Sequence, residues 1–177
     1  MKKLKRQLTI LGIFCTLALA ALVLLLTMTK GGTEQAAAEG EVIFTCSPEL
    51  VTELTVRTEG EMLALRRDEG TALWTFADTG EEANAQRLAL MLAELAEVRS
   101  ATVIGDVTDF APYGLEQPSM EITVSYDGTA HTLAIGDYST AAHRYYARAD
   151  LEARVFLITT SVKTAFDVTR EELLLTE

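Results

Sequence analysis

The chain has 177 residues and a net charge of −11, but all 26 acidic residues and ten of the fifteen basic ones lie beyond Lys30, so that later stretch carries −16. Such an acidic body excludes nucleic acid as a partner, because phosphate neutralisation needs a basic face. Only Cys15 and Cys46 are present, which excludes a disulfide framework and a cysteine-based zinc site.

Residues 1–7 form a basic start, with Lys2, Lys3, Lys5 and Arg6. Residues 8–28 carry no charge and hold eight leucines plus Ile10, Ile13, Phe14 and Val23. A helix of that length covers roughly 30 Å, the thickness of a hydrocarbon core. The reading is a transmembrane helix and not a cleaved signal peptide, whose apolar stretch is shorter and ends at a small-residue site. The lysine cluster predicts a cytoplasmic N-terminus, so the expected location is the plasma membrane, single-pass, with the C-terminal domain outside. Residues 29–40 are small and polar and read as a flexible tether, leaving 41–177 as one extracytoplasmic domain.

Within that domain, Val42-Ile43-Phe44 is a short apolar run closed by Pro48. Leu50 to Thr58 alternates and predicts a strand, with return strands beginning at Met62 and Leu73 after Gly-containing turns. From Glu81 to Arg99 the period becomes helical, with Leu88, Met91, Leu92, Leu95 and Val98 on one face and Asp78 or Thr79 as the cap. Ser100 to Ile104 is a short extended piece before a long loop with Pro112 and Pro118. Met120–Tyr126 and His131–Ile135 predict a hairpin about Asp127-Gly128, the second strand ending at Gly136-Asp137. Tyr145–Arg148 and Val155–Ile158 predict a further strand pair, Val162–Phe166 a short helix capped by Thr160 or Ser161, and Arg170–Leu175 another. The predicted class is α+β: a transmembrane helix, then an antiparallel β-rich domain of about seven strands with one main helix and one or two short C-terminal helices. A single sheet is favoured over an internal duplication.

The order Tyr113-Gly114-Leu115-x-x-Pro118, an alternating hairpin, Ile135-Gly136-Asp137 and then Tyr145-Tyr146 resembles the DUF4340 family of membrane-anchored extracytoplasmic proteins, over roughly Leu50 to Leu175. The resemblance implies an accessory envelope role, since some members occur with ABC-type transport systems linked to gliding motility. It brings no catalytic residues. On physical grounds Gly114 and Gly136 supply positive φ at turns, Asp137 bonds its own backbone in a turn, and Pro118 begins a strand. Tyr145 and Tyr146 place one ring on each face of the sheet.

The functional expectation is a non-enzymatic envelope protein that binds a membrane or envelope protein partner and touches the bilayer through residues 8–28. Neither catalytic residue, metal nor cofactor is assigned. One alternative is a glycan- or peptide-binding module using exposed aromatics among Trp74, Tyr138, Tyr145 and Tyr146. Another is an envelope hydrolase, which would join acids such as Asp106, Asp109 or Asp137 to His131 or His143. Ser161-Val162-Lys163 reads as a helix start and not as a nucleophile pair. Cys46 is expected to be a buried thiol.

Overall fold

The computed structural model describes residues 40–68 and 70–175. The predicted transmembrane helix at 8–28, the basic start and the tether before Gly40 lie outside the described residues. Among those described, no helix is long and apolar enough to cross a membrane.

Nine strands form one sheet: β1 (Glu41–Phe44), β2 (Glu53–Thr58), β3 (Met62–Arg67), β4 (Trp74–Phe76), β5 (Val98–Asp106), β6 (Met120–Tyr126), β7 (Thr129–Ser139), β8 (Arg144–Ala149) and β9 (Arg154–Ile158). Their spatial order is β1-β5-β9-β8-β7-β6-β2-β3-β4, and every pairing is antiparallel. The count exceeds the expected seven. Two short apolar pieces, each weak alone, pair with one another as β1 and β5 and extend the sheet past β9. A β1–β5 pairing lies far apart in sequence, so local periodicity carries no trace of it.

Register explains the core. Leu133 on β7, Ile122 on β6, Val56 on β2 and Leu63 on β3 form one cross-strand row, and Val124, Leu54, Leu65 and Phe76 form another. All eight are buried on the same face. Helices α1 (Ala85–Leu95), α2 (Thr160–Phe166) and α3 (Arg170–Leu173) seal that face with Leu88, Met91, Leu92, Leu95, Val162, Phe166 and Leu173. β9 sits where both faces are covered, and its Val155 to Ile158 are all buried.

Helix α1 is shorter than the period suggests. Glu82 bridges Thr75 and Ala83 bridges Leu174, which keeps the chain extended to Asn84. Asn84, and not Asp78 or Thr79, is the cap; its side-chain oxygen accepts from the Arg87 amide at 3.1 Å. At the other end Val98 leaves the helix to open β5. Helix α2, by contrast, starts two residues earlier than expected, at Thr160, with Thr159 at the cap position in place of Thr160 or Ser161 and no side-chain cap bond. Arg170 on α3 ties the far edge together, contacting both Asp78 (2.8 Å) and Glu81 (2.9 Å) while lying 4.2 Å over the Phe76 ring.

Candidate functional site

Between β5 and β6 the chain crosses the second face of the sheet as a strap, residues 107–119. The Asp109 carboxylate accepts the Ala111 amide at 3.0 Å and starts a single 3-10 turn, Ala111–Tyr113, that Gly114 ends at φ 66°. Leu115 is then buried against Ala134 and Val155, with Val107, Phe110, Tyr113 and Tyr146 packed around them. Tyr113 and Tyr146 meet edge to face at 5.1 Å, and the Arg148 guanidinium lies 4.2 Å over Phe110. Arg148 Nη2 donates to the Leu151 carbonyl at 2.7 Å, while Nε is buried without a partner among the described residues.

The two short patterns of the sequence meet here. A Cβ built at Gly136 would overlap the Tyr113 carbonyl oxygen, and one at Gly114 would sit 2.6 Å from the Asp137 carboxyl carbon. Ser119 Oγ lies 3.1 Å from the carbonyls of Ile135 and Gly136, and Pro118 is half-buried beside it. Tyr113-Gly114-Leu115 and Ile135-Gly136-Asp137 are therefore two sides of one backbone contact. Gly136 does not have the positive φ expected of a turn residue, nor does Asp137 sit in a turn. β7 runs on through both to Ser139, with a register shift between Ile135 and Tyr138. Close approach of the strap, and not backbone handedness, explains the glycine.

Trp74 is 5% exposed and belongs to the main core. Tyr145 packs on that same core, whereas Tyr146 faces the strap. Tyr138 is the most open of the four at 42%; it meets Tyr145 at 5.1 Å, and its hydroxyl lies 3.3 Å from His143 Nδ1. Lys163 Nζ stands 5.6 Å from the Tyr145 ring, and Ser161 Oγ bonds the Thr159 hydroxyl instead of the lysine. His131 stacks on Tyr126 at 4.7 Å and bonds Asp150 at 2.9 Å. The second Asp150 oxygen takes the Thr132 amide at 2.8 Å, steadying a turn in which Asp150 and Leu151 have φ 44° and 60°. Asp106 is paired in register with Arg154. Neither histidine is thus brought to Asp106, Asp109 or Asp137, and no group of three metal-ligating side chains forms among the described residues.

A concave surface lies elsewhere. The Pro48–Leu50 turn, the β3–β4 hairpin and the first half of α1 enclose a groove whose residues include Glu49, Leu50, Arg67, Ala72 and Ala89. Three segments far apart in the chain build it, so no local motif announces it.

Sheet, strap and groove define a protein of the single-sheet α+β class, sealed by helices on one face and crossed by a strap on the other. The model of the family described as Domain of unknown function (DUF4340) matches residues 74–176, and the chain belongs to that family. The match runs from β4 through the strap to α3. No curated protein and no solved structure matches the chain.

Proposed function

We propose that the protein is a membrane-anchored, extracytoplasmic component of the cell envelope that binds a protein partner, as an accessory to a transport assembly, and performs no catalysis of its own. Residues 8–28 would hold it in the bilayer, and the tether would let an acidic domain stand off an anionic lipid surface. One observation carries the reading: side chains suited to chemistry are spent on holding the fold. His131 is tied to Asp150, His143 neighbours Tyr138, Asp109 starts the strap turn, and Asp137 lies against Gly114. The surface left open is a groove and a polar sheet face, which suit contact more than reaction.

Mild crosslinking of the full chain in intact membranes, followed by affinity isolation beside a mock sample, tests the reading. A reproducible protein partner is the expected result, and repeated recovery of the chain alone counts against it. Tyr138 favours a second reading, glycan binding, since an exposed ring beside His143 offers a stacking surface. Titration with soluble envelope glycans separates the two: saturable quenching of tyrosine emission that Tyr138→Ala abolishes would support the glycan.

A further inference from the structure

Helix α1 turns Leu88, Met91, Leu92 and Leu95 to the core. Its outer side carries Leu90, which is 70% exposed, with exposed Arg87 one turn before it and exposed Glu94 one turn after. Those two charges run against the helix dipole. Arg87 lies in the first turn, at the positive end, and Glu94 in the last, at the negative end; no acid stands in the first turn and no base in the last. The pair cannot relieve one another, because seven residues set them roughly 10 Å apart along the axis. Three and four places from each there is no opposite charge: Glu97 alone is ionic, and Arg99 holds it at 2.6 Å. Beside these residues a cavity of about 340 Å³ opens against α2, and its lining includes Arg87, Leu90, Met91, Glu94 and Ala165.

We infer that this side of α1 docks a second copy of the chain, the two α1 helices running antiparallel across a two-fold axis between Leu90 and Met91. Arg87 of each copy is then level with Glu94 of the other, and the two ion pairs flank the axis. Each charge also comes to the end of the facing helix whose dipole favours it. Leu90 of each copy enters the cavity against Ala165 of the other. One base, one acid, and an apolar knob beside a hollow make the surface complementary to itself, which is what an isologous contact requires. Two acidic bodies repel at long range, but that repulsion is screened beyond about 8 Å at physiological salt, so the short contacts decide. The eleven residues of α1 span roughly 16 Å, which places the contact among small, reversible interfaces. This goes beyond the partner reading above, and its assay needs no second protein.

Charge reversal tests it, with the full chain in mild detergent at tens of micromolar and two differently tagged preparations mixed. The unsubstituted chain should sediment as a dimer and the tags should co-isolate. Arg87→Glu and Glu94→Arg should each be monomeric alone, because each sets like charges against one another on both sides of the axis. Mixed together, the two variants should form a heterodimer, since one carries acid at both positions and the other base at both. Both variants stay strongly acidic overall, so bulk charge does not drive that pairing. Leu90→Ala should weaken the unsubstituted dimer about tenfold. Each reversal relieves a conflict with the dipole, so urea midpoints of the dilute variants, read through Trp74 emission, should not fall below that of the unsubstituted chain. A monomeric unsubstituted chain, a single reversal that leaves the dimer intact, or a mixture of the two folded variants that stays monomeric would overturn the inference.

Discussion

The two faces of the sheet use alternate residues of the same strands for opposite purposes. On the face under α1 and α2, β2 presents Leu54 and Val56, and β6 presents Met120, Ile122 and Val124, all essentially inaccessible. One residue along, the second face carries Thr55 and Arg57, then Glu121, Thr123 and Ser125. There Arg57 meets Glu121 at 2.9 Å, and the Thr123 and Thr132 hydroxyls meet at 3.1 Å. Only three buried residues, Leu115, Ala134 and Val155, form the cluster under the strap. The cooperative stability of the domain therefore resides on the helix side, while the strap is a small docked unit that can be loosened by itself.

Phe166→Ala tests the stronger side of this comparison. Phe166 is fully buried where α2 lies on the sheet, and its truncation should cost about 3–5 kcal/mol. Urea unfolding followed through Trp74 emission measures it. A loss below about 1 kcal/mol would show that the helix layer does not carry the fold.

Gly136→Ala tests the weaker side. The added methyl must displace the Tyr113 carbonyl, an overpacking worth about 1–3 kcal/mol. Because the strap can lift, the main effect should be protease cleavage within 107–119 while the sheet still unfolds in one step. If Gly136→Ala cost as much as Phe166→Ala, the strap would have to count as part of the main cooperative unit, and the contrast between the faces would fail.

A third effect is confined to acid. Hydrogen bonds from Arg170 hold the Asp78 and Glu81 carboxyls below their ordinary range. Folded values below unfolded ones mean that the clamp contributes its full stability above the ordinary carboxylate range and loses it as pH falls through the folded values. The midpoint of thermal unfolding should therefore drop on acidification, and drop less steeply in Arg170→Ala. Parallel pH profiles for the two proteins would remove the clamp from the account. Glu172, lowered by the Thr169 amide, keeps a residual slope in both.

Much of the core face was legible in the sequence, because two-residue alternation is a local property. Met120, Ile122 and Val124 declare a strand by their spacing alone, and Asp127-Gly128 declares its turn, with φ 52° and 73°. What resisted reading depends on distant contacts. The start of α1 moved to Asn84 because Glu82 and Ala83 pair with residues of β4 and the C-terminal segment. Gly136-Asp137 has the composition of a turn, yet its role is set by Tyr113 and Gly114, which reach it across the second face. The groove around Arg67 needs three segments at once, so its residues carry no pattern of their own.

The smallest effect at neutral pH concerns Cys46, just beyond β1. It is 6% exposed in the main core, and burial pushes its thiol up to about 11. A raised folded value leaves neutral-pH stability untouched, because the thiol is protonated in both states there. Above the ordinary thiol value of about 8.5 the unfolded chain ionises first, so stability declines as pH climbs toward the folded value. The same shift suppresses nucleophilicity: near pH 8 the thiolate is on the order of a thousandth of the folded population. Iodoacetamide should therefore leave the Cys46 peptide unmodified in the folded chain and label it quickly in urea, with peptide-level mass spectrometry separating it from Cys15. Rapid labelling without denaturant would mean that the β1 edge opens readily. The helix-covered face would then be no more closed at its margin than the face beneath the strap.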